Sequence, residues 1–114
     1  MNDVKGRMLE DIVLLETQKA APRNLAVFKF KFDIQGEYDM VIYDKNTNTC
    51  RIFEIKHSDK IVPQQTRFLR DEALNVITEK RFGKITGKFV IYRGKTQEID
   101  GVQYMNVEEY LNNL

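Results

Sequence analysis

The stretch Thr49 to His57, TCRIFEIKH, limits the fold more than any other part of the chain. As a strand of period two it places Cys50, Ile52, Glu54 and Lys56 on one face and Arg51, Phe53 and Ile55 on the other. Both faces carry apolar side chains, so the strand has to be central and covered on both sides. A sheet with helices on its two faces supplies such cover. With 114 residues the chain is one domain's worth, long enough to bury a core without staples.

The remaining segments fit that frame. Val4 to Lys19 reads as a helix, with Met8, Leu9, Ile12 and Leu15 on one apolar stripe and Gly6, Glu10, Val13 and Leu14 on another side. A helix apolar on two sides is mostly buried, which makes Glu10 an acid among apolar neighbours. Pro22 ends the element. In Leu25 to Asp33, Phe28, Phe30 and Phe32 alternate with Lys29 and Lys31, a strand with one wet face. Gln35-Gly36 turns the chain into a second strand, Glu37 to Asp44. Its alternation puts Asp39, Val41 and Tyr43 on one face and Tyr38, Met40 and Ile42 on the other. KNTNT is a loop.

Three strands joined by short loops predict an antiparallel meander. Gln64 to Phe82 reads as one helix, with Pro63 near its first turn and Phe68, Leu69, Ala73, Val76 and Ile77 on its buried face. Gly83 is its stop. Lys88 to Arg93 is a further strand, parallel to the third through a right-handed crossover. TQEIDGVQYMN is a small hairpin turning at Asp100-Gly101, and Asn106 to Glu109 resembles a capping box that opens a terminal helix. The expected fold is α/β, in the order α-β-β-β-α-β, with a mixed sheet flanked by helices and a C-terminal hairpin and short helix.

The chemistry gathers on three residues. Glu54 and Lys56 lie about 6–7 Å apart on one face of the third strand. Asp39 is near the start of the second strand, and in an antiparallel pair the start of one strand lies beside the end of the next. Two converging carboxylates repel, and a divalent cation relieves the conflict. Mg²⁺ suits one or two carboxylates together with water and phosphate oxygens. Lys56 would then orient or deprotonate the attacking water and offset charge on a phosphorus centre, so the chemistry is phosphodiester hydrolysis. Glu10 would add a further ligand, directly or through water, and Gly6 would let its helix approach the sheet closely. Gln65 faces inward at the start of the second helix, where it would hold a water or a phosphate.

This arrangement resembles the PD-(D/E)XK nuclease superfamily, the restriction-endonuclease-like fold. The resemblance rests on G-R-M-L-E (Gly6 to Glu10), E-Y-D (Glu37 to Asp39) and E-I-K (Glu54 to Lys56), and spans about Val4 to Arg93. It implies a nuclease that uses Mg²⁺ or Mn²⁺, with Asp39 and Glu54 on the metal and Lys56 in catalysis. Tyr38 stands where the name-giving motif has Pro. The stretch Gln64, Gln65, Phe68 and Leu69 looks like the helical glutamine motif of some members. With Y-D-M-V-I, F-E-I-K-H-S and the closing run from Ile99 to Leu111, the chain is also similar to the nuclease-like domain at the C-terminus of prokaryotic AAA-type ATPases. That similarity implies a fragment of a longer ATPase. No phosphate-binding loop of the form G-x-x-x-x-G-K-[S/T] occurs here.

Plainer readings stand beside these. Asp39, Glu54 and Lys56 would also make a surface salt-bridge set, although Glu54 following apolar residues in a central strand fits that poorly. Glu10 would reach solvent or pair with a lysine, and Gln65 would simply cap its helix. His57 reads as a strand-end surface residue, Cys50 as buried filler, and Tyr43, Phe53 and Tyr92 as core. Arg67, Arg70, Lys80, Arg81, Lys84 and Lys88 make the second helix and its exit basic, a surface that would follow a DNA backbone or simply be solvated. Net charge is +1, low for a dedicated nucleic-acid binder, so DNA affinity would come from a local patch or a partner domain. One cysteine excludes an internal disulfide and fits a reducing compartment. No stretch is apolar enough to span a membrane, and the N-terminus is too polar for a signal peptide, so the expected location is cytoplasmic. Many such nucleases dimerise; nothing in this sequence demands it.

Overall fold

The computed structural model describes residues 2–33 and 35–114, with residues 2–6 as helix backbone alone. The packing expected at Gly6 falls outside the described residues. The elements are α1 (Asn2–Ala20), β1 (Leu25–Lys31), β2 (Glu37–Asp44), β3 (Thr49–Ile55), a 3-10 turn (Pro63–Thr66), α2 (Glu72–Phe82), β4 (Lys84–Tyr92), β5 (Gln97–Ile99), β6 (Val102–Asn106) and α3 (Val107–Asn112). They form an α/β domain around one mixed sheet in the order β1-β2-β3-β4-β6-β5. β1, β2 and β3 make the expected antiparallel meander, and β4 lies parallel to β3. The C-terminal hairpin is not an appendage: β6 pairs in parallel with β4 and extends the sheet.

β3 is central, and its two faces feed two cores. Cys50 and Ile52 join Val41, Leu69, Leu74 and Val90 on the α2 side. Phe53 and Ile55 join Leu9, Val13, Met40 and Ile91 on the side of α1 and α3. Burial pushes the Cys50 thiol up to about 11, so it is a core residue rather than a nucleophile. Phe28 and Phe30 pack with Phe82 at ring-centroid distances of 5.1 and 5.2 Å, while Lys29 and Lys31 stay wet. Among the described residues no helix is long and apolar enough to cross a membrane.

Three local expectations fail, each for a physical reason. The stretch from Gln64 to Phe82 is not one helix. Asp71 adopts an extended conformation and its side chain accepts the Leu74 N–H, starting α2 afresh. That break resets the helical phase, so Leu69, Leu74 and Thr78 are buried, while Ala73, Val76 and Ile77 are exposed. On α1 the buried line is Leu9, Val13 and Thr17, and Met8, Ile12 and Leu15 face out. Thr17 can be buried because its Oγ1 hydrogen-bonds the Tyr110 hydroxyl of α3 at 2.7 Å.

Strand β2 also breaks strict alternation. Phe28 pairs with Val41 but Phe30 pairs with Tyr38, so β2 carries one extra residue between them. This bulge sends Tyr38 into the same core as Val41, not to the face of Met40 and Ile42. Gly83 ends α2 as expected, at φ 79°, and a Cβ there would sit 1.7 Å from the Asn48 carbonyl oxygen.

Candidate functional site

The bulge sits at Asp39 and Met40, and it shapes the acidic end of the sheet. The β2–β3 ladder ends at Met40 and Phe53, and just beyond it the Asp39 side chain meets that of Glu54. The Asp39 carboxylate accepts the Ile55 backbone N–H through Oδ2 at 2.8 Å. Its side chain is therefore held across the end of β3. Lys56 is fixed by its own backbone, which donates to the Ile91 carbonyl at 2.9 Å and continues the β3–β4 ladder past the end of the strand. Its ammonium lies 3.8 Å from Glu54 Oε2. Asp39 and Glu54 are 6% and 5% exposed, so the two acids are buried rather than at the surface, although the ion pair of Glu54 with Lys56 is present.

Glu10 reaches the same place from α1. It and Glu54 each share a carboxyl contact with Asp39. Burial, then the Asp39 carboxylate, push Glu54 up to about 9; Lys56 pulls the other way without reversing the shift. Burial, then Asp39, push Glu10 up to about 7, against Lys29 and Lys56. Glu54 Oε1 is buried with no hydrogen-bond partner. Among the described residues no three His, Cys, Asp or Glu side chains form a ready-made metal cage. Glu10 and Glu54 approach Asp39 from different sides instead, one with α1 and one from an open groove.

That groove, of about 340 Å³, is lined by Glu54, Lys56, Val62, Gln65, Arg67 and Phe68. Gln65 is thus brought to Glu54 and Lys56, but its amide is occupied. Its Oε1 accepts the Val62 N–H and its Nε2 donates to the Lys60 carbonyl, so it fastens the 3-10 turn. Tyr38 points away from the acids, with its hydroxyl bonded to Asn75 and Thr78. Tyr38 is thereby an anchor for α2.

Two participants escape a motif-based reading. Glu37 is close enough to raise Glu54 further and pairs with Lys29 at 3.9 Å. Glu37 was legible only as the first letter of E-Y-D, and Lys29 only as a wet-face lysine. Of the basic residues near α2, several are engaged internally. Arg67 lies over the Phe68 ring at 4.6 Å, Arg81 over Phe30 and Phe82, and Arg70 bonds Thr66. Lys88 donates to Asn75 at 2.7 Å. Compared with protein-family models, curated proteins and solved structures, the chain matches none.

Proposed function

We propose that the domain is a Mg²⁺- or Mn²⁺-dependent phosphodiester hydrolase acting on DNA, with a restriction-endonuclease-like core. The observation that carries this reading is Glu54 Oε1, a buried acid oxygen without a partner beside a second buried carboxylate. Such an arrangement is costly as it stands, since two adjacent buried carboxylates cannot both ionise cheaply. A divalent cation fits the donor set: Asp39 and Glu54 would hold it, and Glu10 would assist through Asp39. Once bound, it would neutralise the acids and polarise a phosphoryl oxygen.

The side chains around it suit a phosphodiester. The Lys56 ammonium is tethered to Glu54 at the mouth of the groove, where it can hold the attacking water and take up negative charge on phosphorus. Arg67 on the same groove offers a second cation to the DNA backbone. Gln65 keeps the 3-10 turn in place and so shapes the wall beside Lys56.

The test is incubation with plasmid, linear and branched DNA in Mg²⁺ or Mn²⁺, alongside Lys56→Ala. Cleavage that falls at least about a hundredfold in Lys56→Ala is expected. Absence of Lys56-dependent cleavage on every substrate overturns a hydrolase in the isolated domain. A second reading, a non-catalytic interaction module of an AAA-type ATPase, is favoured by the net charge of +1 and by Arg81 stacked on the protein's own Phe30 and Phe82 rings. Calorimetric binding of Mn²⁺ that is lost in Asp39→Ala, without cleavage, would select it.

A further inference from the structure

A larger cleft lies toward the other end of β3. It is about 610 Å³, within the range of small-molecule sites, and sits between the C-terminal end of α1, the helix α3 and the sheet. Ala20, Leu25, Val27, Ile42 and Met105 give it apolar walls, and Arg51 of β3 is among its lining. Arg51 and Glu54 are three positions apart on one strand, on opposite faces, so this cleft is separate from the acidic site.

The polar side chains of the cleft are engaged with one another or with backbone, with one exception. Thr17 and Tyr110 bond each other. Thr96 donates to Glu109 and accepts the Asn106 N–H. Asn106 and Asn113 donate to backbone carbonyls. Arg51 is the exception. Among the described residues the ion pairs are Lys19–Glu16, Lys29–Glu37 and Lys56–Glu54, and the guanidinium takes part in none of them and in no hydrogen bond. Asp44, which lines an adjoining cavity with Arg51, gives its Oδ1 to Asn24 and to the Asn46 N–H. A guanidinium stays charged at any physiological pH and presents a planar fork of donors. It is half-buried beside apolar walls, and its nitrogens stay open to solvent in the cleft, free to take an anion.

We propose that this cleft binds an amphipathic carboxylate, its carboxylate paired with Arg51 and its apolar body laid against Leu25, Val27, Ile42 and Met105. A planar carboxylate matches the guanidinium fork in two parallel hydrogen bonds. The apolar walls reward a body that acetate lacks. The inference does not depend on the nuclease reading.

The probes are decanoate, decanol and acetate, each kept below its micellar or solubility limit, titrated into the full chain. Calorimetry gives affinity, and the Arg51 Nε–H resonance gives position. Decanoate should bind at least about tenfold more tightly than decanol or acetate and shift that resonance. Arg51→Gln should reduce decanoate to the level of decanol, and Ala20→Trp, which fills the cleft and leaves Arg51 in place, should weaken decanoate at least about tenfold. The proposal is overturned if decanoate shows no saturable binding, if it binds no better than decanol, or if a folded Arg51→Gln chain binds it unchanged. The comparison of decanoate with decanol uses the unaltered protein, so it holds even where a variant misfolds.

Discussion

At the scale of single residues, Asp39 performs two tasks that can be separated. Its Oδ2 accepts the buried Ile55 N–H, and its charge raises Glu54 and Glu10. Asp39→Asn keeps an acceptor oxygen and removes the charge. Asp39→Ala removes both and leaves the Ile55 N–H without a partner, which costs about 1–3 kcal/mol. In urea unfolding at pH 8 without metal, Asp39→Asn should therefore match or exceed the unaltered protein, and Asp39→Ala should fall about 1–3 kcal/mol below Asp39→Asn. Equal stabilities for the two variants would mean that the hydrogen bond contributes nothing. Both variants should lose Mn²⁺ binding. This pairing of Asp39 with Glu54 was legible in the sequence, because strand period and antiparallel register alone bring the start of β2 to the end of β3. The contact with Ile55 was not legible, because strand period gives the face of a side chain and not which backbone N–H its carboxylate reaches, and the β2 bulge beside it leaves no mark in hydrophobic alternation.

At the scale of elements, the helices show where periodicity ceases to decide. On α1 the sequence offers two apolar sides, and only docking on the sheet and α3 selects Leu9 and Val13 over Met8, Ile12 and Leu15. The choice can be measured with one substitution made twice. Leu9 is 7% exposed and Leu15 is 50% exposed. Leu9→Ala should cost about 2–5 kcal/mol through lost burial and a residual cavity, and Leu15→Ala should stay within about 0.5 kcal/mol. Chemical denaturation of the two variants settles it, and comparable losses would place both leucines in contact with protein. On α2 the misleading signal was continuity: Phe68 and Leu69 extend the apolar pattern of the helix backwards, but Asp71 caps a new start. An Asp before Glu-Ala-Leu is a readable N-cap, and weighting it above the apolar run gives the buried Leu74 and Thr78 directly. The strand order could be read further, since a central β3 and a helical crossover fix β4 beside it. The place of β6 could not, because a short hairpin can end a chain or join its sheet with the same sequence pattern.

At the scale of the whole molecule, the acidic site ties stability to pH and, on the proposed function, to metal. Glu54 and Glu10 are raised from about 4.5 in the unfolded chain to about 9 and about 7 in the fold. Between those values the folded chain binds more protons than the unfolded chain, so unfolding free energy falls as pH rises. The stability linked to these two acids is fully present below pH about 4.5 and is lost as pH climbs through about 7 and then about 9. This is opposite to the usual salt-bridged carboxylate, which loses stability toward acid. Thermal melts without metal, followed by circular dichroism, should show a falling midpoint from pH 5 to pH 9, with a shallower fall in Glu54→Gln. Divalent cations should counter that trend, because their binding needs the ionised acids and releases protons. The gain in midpoint on adding Mn²⁺ should therefore be larger at pH 8 than at pH 6. A concentration of a hundred times Kd corresponds to about 2.7 kcal/mol. A midpoint that rises with pH in metal-free protein, or a Mn²⁺ gain that shrinks with pH, would show that the acids are ionised in the fold and need no cation.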